Sequence, residues 1–357
     1  MPPGQLGRIA YLSKVKKTFL ITLAVIAALA LFVIYTFVST GFFREINNTE
    51  GYEVVAQLPL YGAEDLTISY EDGFMIISQD DRGASHRNVP REGGLYLLYL
   101  DSTELVPLRL ETKDPLLPHG ISLLKMDSSR YRLFVVNHFE GHSIEKFDLV
   151  GDSLIYVETY RDPAILSPND VVALDEDRFY FTNDHGYTSK FGLILENYLG
   201  LSVSNVVFFD GADFAEVADG IAYANGINIT NDGQQLLVAS PRKFTLKYYE
   251  ILGDGQLAFE RDLDVGSGID NIEIDPEGNL WMGSHPNLLA FTAYSQGKNP
   301  IAPAEIILVS PENAVQSLYE NDGELISAPS VVAPYNDLLF VGTVMDEYLT
   351  VLRRAEE

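Results

Sequence analysis

The chain has no cysteine, a single tryptophan, and no acidic residue among its first 44 positions. Without cysteine there can be no disulfide, no thiolate metal site and no Cys nucleophile. A G-x-S-x-G elbow, a P-loop and a G-x-G-x-x-G fingerprint are also missing, so serine-hydrolase, NTPase and Rossmann readings have no motif support. Apolar runs with a 3.6-residue period are scarce, whereas strand-favouring residues are common, with 20 Tyr and 19 Phe. The economical fold class is all-β. At 357 residues and 46% apolar content the chain can bury a substantial core.

Charge is divided unevenly. Arg8, Lys14, Lys16, Lys17 and Arg44 are the only charges in the first 44 residues, and the remainder carries 19 basic against 51 acidic residues, a net −32. Such a surface repels phosphate backbones and argues against nucleic-acid binding. After the basic cluster, residues 18–43 carry no charge and include the run ITLAVIAALALFVIYTFV, long enough to cross a bilayer. The basic flank predicts a cytoplasmic segment over 1–17, a transmembrane signal anchor over 18–43 and an extracytoplasmic domain, periplasmic or extracellular, over 50–357. A cleaved signal peptide is the competing reading, but the run exceeds the usual h-region of roughly 7–15 residues. Asn47 and Asn228 open N-x-T sequons, meaningful only in a eukaryotic secretory host.

From about residue 52 a pattern recurs in which an Asp, Asn or Gly turn leads into an apolar strand ending in a small or polar residue. Examples are EDGFMIIS (71–78), DSSRYRLFVVNH (127–138), DEDRFYFTND (175–184), NDGQQLLVAS (231–240), DPEGNLWMGS (275–284) and PYNDLLFVGT (334–343). Six units at a spacing of about 53 residues predict a six-bladed β-propeller of four-stranded blades forming one domain. Its closure would pair a first strand at 52–58 with the C-terminal EYLTVL. Residues 191–200 interrupt the repeat with helical spacing, as part of a lid or as a packed insertion.

Four polar clusters precede strand signals: Glu64-Asp65, Asn169-Asp170, Asn225 and Asp270-Asn271. Asn, Asp and Glu are hard oxygen donors suited to Ca²⁺, and a propeller axis is a place where donors from distant loops can meet. Adjacent side chains in extended chain face opposite ways, which suggests two sites at different depths. Glu64, Asn169, Asn225, Asp270 and Asn271 would form one; Asp65 and Asp170 with backbone carbonyls would form the other. Asn and Asp are also ordinary turn residues. His119 and His138 fall at strand ends and could make a base with its orienting partner. His138 and His142 have the spacing of a helical zinc pair, but Gly141 between them after a β run argues against a helix and against zinc.

The segments LPHGISLL (117–124), LFVVNH (133–138), SPNDVVAL (167–174), FYFTNDHGY (179–187), YLGLSVSNVVFF (198–209), ANGINITNDG (224–233), DNIEIDPEGNLWMGSHPN (270–287) and LLFVGTV (338–344) resemble the paraoxonase/arylesterase family, in family order over roughly residues 50–350. The resemblance implies a six-bladed propeller with two calcium ions in its central tunnel. It also implies catalytic-calcium ligation by Glu64, Asn169, Asn225, Asp270 and Asn271, and structural-calcium ligation by Asp65, Asp170 and the Ile121 carbonyl. His119 and His138 match the family's histidine dyad, and His285 a residue lining its pocket. The implied activity is hydrolysis of lactones and aryl esters, with Ca²⁺ polarising the carbonyl. Water would be activated by His119 oriented by His138, or assisted by Asp270 or Glu64. Apolar substrates, a retained N-terminal anchor and a phosphotriesterase side activity belong to the same expectation. The family's disulfide has no counterpart here, and Ser284 stands where it has a free Cys. Alternatives are a strictosidine-synthase-like or gluconolactonase-like propeller enzyme and a non-catalytic, calcium-stabilised scaffold.

Overall fold

A computed structural model describes residues 3–102, 104–110 and 115–355. Its β-strands form six sheets arranged as the blades of a propeller, five of four strands and one of five. Blade 1 comprises Ala63–Ser69, Phe74–Asp80, Gly93–Tyr99 and Glu104–Pro107. The inner strands of blades 2 to 6 are Pro118–Lys125, Pro168–Ala173, Ile227–Ile229, Gly268–Ile274 and Pro329–Tyr335. Each of these six strands packs beside the next, and the last returns to the first, so they ring a common axis. The six apolar repeats of the sequence are the second strands of the six blades. Blade 2 adds the short strand Arg109–Leu110, paired parallel to Ser153–Tyr160, which the four-stranded expectation did not include.

Closure follows the expected pairing. Tyr52–Pro59 forms the outer strand of blade 6 and runs antiparallel to Tyr348–Arg354. Hydrogen bonds across that seam, rather than a disulfide, join the ends of the propeller. The core lies between blades. Leu66, Met75, Ile77 and Leu98 of blade 1 pack on Val331, Phe340, Leu349 and Val351 of blade 6. Phe179, Phe181, Phe209 and Tyr160 fill the gap between blades 2 and 3. Phe179 is fully buried, and its removal would cost about 3–5 kcal/mol.

Among the described residues the α-helix α1 (Pro3–Ser39) precedes the strands, and α2 (Ala84–Arg87), α3 (Lys190–Leu199) and α4 (Leu288–Ser295) lie between them. The stretch Lys14–Ser39 is apolar and long enough to cross a membrane. One helix runs through residues 17 and 18, where the span is expected to begin. At its C-terminal end α1 docks on the propeller. Arg242 donates to Ser39 O (2.9 Å), Ser39 Oγ (3.0 Å), Tyr198 O (2.9 Å) and Asn197 O (2.7 Å), gathering the carbonyl ends of α1 and α3 on one guanidinium. Helices α2, α3 and α4 all connect the second strand of a blade to the third, which places them at the end of the tunnel where the inner strands begin. In α3, Ser189 caps the N-terminus and Gly200 closes the C-terminus in a left-handed conformation.

Candidate active site

Glu64-Asp65, Asn169-Asp170 and Asp270-Asn271 sit at irregularities of the inner strands rather than in loops ahead of them, whereas Asn225 lies just before its inner strand, as expected. Pairing with the second strand shifts register between Ala63 and Asp65, Pro168 and Val171, and Ile269 and Ile272, and likewise between Pro118 and Ile121 in blade 2. Side chains of a regular strand stand off the sheet toward neighbouring blades. A bulge bends the strand and re-aims them toward the axis. Glycine permits the close approach of neighbouring inner strands. A Cβ on Gly120 would collide with Asp170, and one on Gly226 with the backbone of Asp270 and Asn271.

Glu64, Asn169, Asn225, Asp270 and Asn271 are all buried. Asn225 donates its amide to Asp270 Oδ1, and Asp270 Oδ2 lies 3.0 Å from His285 Nε2. The amide of Asn271 donates to the Glu64 carbonyl at 3.1 Å. Glu64 Oε2 and the Oδ1 atoms of Asn169, Asn225 and Asn271 are buried without a hydrogen-bond partner. Four buried oxygens left open in one set is unusual, because an unmatched buried acceptor costs about 1–3 kcal/mol. Among the described residues no three His, Asp or Glu side chains form a metal-holding group. A cation here would be held by mixed carboxylate and amide oxygens, the donor chemistry of Ca²⁺.

Burial alone would raise the Glu64 carboxyl, but the charges of His119 and Arg82 hold it down at about 2. Burial lifts the Asp270 carboxyl above its ordinary value, with His285 opposing the shift. His119 Nε2 lies 3.1 Å from Glu64 Oε1, and its Nδ1 2.8 Å from His138 Nε2. His138 Nδ1 in turn meets His142 Nδ1 at 2.9 Å. These contacts form a chain from Glu64 to His142, which lies at the surface. Burial depresses His138 to about 2, so its imidazole is neutral.

His285 stacks on Phe291 of α4 at 4.0 Å between ring centroids. Tyr223 holds a left-handed backbone (φ 64°) beside the Asn225 cluster, and its ring meets His185 edge-on at 5.0 Å. Burial, then Asp184, push its hydroxyl well above the ordinary range. His185 Nδ1 reaches Glu196 of α3 at 2.6 Å, so α3 is packed onto the rim of the site through a buried carboxylate. Phe191 and Ile194 on the same helix remain exposed.

Asp65 and Asp170 occupy a second position. Asp65 accepts from Leu66 N (2.9 Å) and Ile121 N (2.8 Å); Asp170 accepts from Val171 N (2.7 Å) and Ile227 N (2.8 Å). Each carboxylate thus ties its own strand to the inner strand of the next blade. Both line a cavity of about 170 Å³ with Ile121, Asn228 and Glu273. Burial raises Asp65, Asp170 and Glu273 well above the ordinary carboxylate range, with Asp170 adding to the shift of Asp65 and of Glu273. Asn228 faces this cavity and donates to Ile272 O at 2.7 Å, so its side-chain nitrogen is engaged in the fold.

Sequence reasoning did not single out Arg82, Tyr223, Asp184, Glu273 or Phe291. Glu273 carried a signal, lying two residues beyond Asn271 on the same inner strand. Arg82, in an ordinary-looking charged loop, carried none.

Fold and site together define a six-bladed β-propeller with a buried oxygen-donor centre at its hub. A family model described as Arylesterase matches residues 88–351. The chain is 33% identical over 238 residues to serum paraoxonase/arylesterase 1 of Homo sapiens, covering 65% of this chain and 67% of that protein. It is 30% identical over 302 residues to serum paraoxonase/arylesterase 1 of Mus musculus, covering 81% and 85%. Among solved structures, a putative gluconolactonase shares the fold at TM-score 0.54 and 15% identity, covering 88% of this chain and 97% of that one. The chain belongs to the arylesterase family.

Proposed function

We propose that this protein is a calcium-dependent hydrolase of lactones and aryl esters. The observation that carries the reading is the set of four buried, unpartnered oxygens on Glu64, Asn169, Asn225 and Asn271, with Asp270 bridging Asn225 and His285. Asp270 completes the set that would hold one Ca²⁺. Asp65, Asp170 and the Ile121 carbonyl, with Glu273 nearby, would hold a second. When bound, Ca²⁺ supplies Lewis-acid polarisation of an ester carbonyl and offsets charge that develops on its oxygen.

The chain's own residues do the rest. His119 is the candidate general base, held between Glu64 and His138 so that its ring is oriented on both sides. His138, neutral through burial, orients the His119 ring and is itself held by His142. His285 stacks on Phe291 while contacting Asp270, and Tyr223 meets His185 edge-on two residues from Asn225. The apolar α1 would anchor the propeller to a membrane on its extracytoplasmic face, with the exposed side of α3 near the lipid.

Hydrolysis of phenyl acetate and of γ- and δ-lactones, with and without chelator, tests the proposal on wild type, Asp270→Ala and His119→Gln. Chelator-sensitive turnover is expected in wild type, with loss in Asp270→Ala. Absence of chelator-sensitive turnover on every substrate would leave a calcium-stabilised scaffold as the better reading. Full retention of turnover in His119→Gln would remove only the histidine base.

A further inference from the structure

Three histidine rings follow one another from the hub to the surface. His119 Nε2 lies 3.1 Å from Glu64 Oε1, and His119 Nδ1 lies 2.8 Å from His138 Nε2. His138 Nδ1 in turn meets His142 Nδ1 at 2.9 Å. Neighbouring rings cross at 62° and 86°, so contact runs through ring nitrogens and not through stacked faces. The turn between the second and third strands of blade 2 builds this alignment. Asn137 pairs with Ser143, which makes His138 and His142 the next residues across from each other. Glu140 (φ 50°) and Gly141 (φ 121°) carry the reversal, and His138 N is tied to Leu117 O at 3.0 Å. His119 and His138 are half-buried, and His142 is the exposed end of the series.

A ring that holds a single proton couples its two nitrogens, because one donates and the other accepts. Burial keeps His138 in that neutral form. Its contacts with His119 and with His142 therefore cannot be set independently. If His142 Nδ1 donates, His138 Nδ1 accepts and His138 Nε2 donates to His119 Nδ1. A neutral His119 then carries its proton on Nε2, the edge that faces Glu64, and has no lone pair there for a water. If His142 Nδ1 accepts instead, every donor reverses. His138 and His119 both hold their protons on Nδ1, and His119 Nε2 is bare toward the hub. Only the second arrangement makes His119 a base at that edge. Glu64 then shares no proton with His119 and is left to the ion of the proposed function.

We infer that His142 is a positioning residue of the active site: it accepts the His138 Nδ1 proton and so holds the His119 proton on Nδ1, leaving His119 Nε2 to take a proton from water. The inference rests on the hydrolase reading and extends its histidine dyad by one ring. A histidine suits the outermost place, since its own proton then sits on Nε2, away from His138.

The test is nitrogen NMR of isotope-labelled histidine rings in the full chain, in detergent with calcium, which shows which nitrogen of a neutral ring holds the proton. The His138 signals are assigned by their loss in His138→Gln. Wild type and His142→Asp, whose carboxylate can only accept, are expected to hold the His138 proton on Nδ1. His142→Lys, whose ammonium can only donate, should move it to Nε2. In parallel, kcat for phenyl acetate should fall roughly tenfold to a hundredfold in His142→Lys with KM little changed, and His142→Asp should keep a larger share of it. Thermal midpoints serve as the folding control. A His138 proton on Nε2 in wild type, or on the same nitrogen in both variants, overturns the inference. So does a kcat that His142→Lys leaves at the wild-type value. A change in kcat with an unmoved proton is an effect of charge alone and overturns it as well. If wild type shows no turnover, the hydrolase reading fails on its own, and the NMR signals still decide whether His142 directs the histidine series.

Discussion

The two ends of the hub are built from the same residue types and treat them in opposite ways. At the inner end, all four carboxylate oxygens of Asp65 and Asp170 accept backbone N–H groups from their own strand and the next blade. At the outer end, oxygens of Glu64, Asn169, Asn225 and Asn271 meet no donor. The inner acids are therefore wired into the ring of blades, and their first role is mechanical. Glu64, Asn225 and Asn271 are held in place by neighbours that engage their other atoms, which leaves these oxygens open to something exchangeable. One strand bulge thus serves both purposes, because Glu64 and Asp65 leave it in different directions. The same is true of Asn169 and Asp170.

The largest expected break in this comparison is at Asp270. Its replacement by Ala removes the partner of both Asn225 and His285 from the outer end while leaving the inter-blade bonds intact. Ester turnover should fall by about 10³-fold or more, with a thermal midpoint changed by only a few degrees. Asp170→Ala should do the reverse. It strips Val171 N and Ile227 N of their acceptor, at a cost of about 3–5 kcal/mol, or on the order of 10 °C in thermal midpoint by calorimetry. Equal destabilisation by the two variants would erase the distinction between the ends.

How far this was legible in the sequence depends on whether a feature is local. The six apolar second strands and the 52–58 closure could be read directly, because each is a run of residues with its own turn. Helix α3 was legible from its apolar spacing, with Ser189 and Gly200 supplying the stops. Separation of Glu64 from Asp65 was expected from strand alternation, and the structure does separate them, but through the bulge between Ala63 and Asp65. Register shifts depend on what the neighbouring strand offers, so no single strand announces them. Arg82 was illegible for a similar reason. Its place 3.8 Å from Glu64 Oε2 follows only once the ring of blades is closed. Glu273 reads as the polar face of a half-exposed strand until the ring closes over it.

The smallest expected effect sharpens the comparison by pH. The outer end contains a histidine that the inner end lacks, and burial sets His138 at about 2 against an ordinary value of about 6.5. The folded state thus binds fewer protons than the unfolded chain between those values. Stability from this group is fully present above pH 6.5 and is lost as pH falls, by at most about 1.4 kcal/mol per unit. His138→Gln keeps a polar side chain that cannot charge. Urea unfolding at pH 7 and pH 5.5 should therefore show an acid loss on the order of 1 kcal/mol in wild type that is reduced in the variant. The two proteins falling in parallel would mean that His138 gains its proton without opening the hub, and the chain from Glu64 to His142 would then be solvated in the folded state.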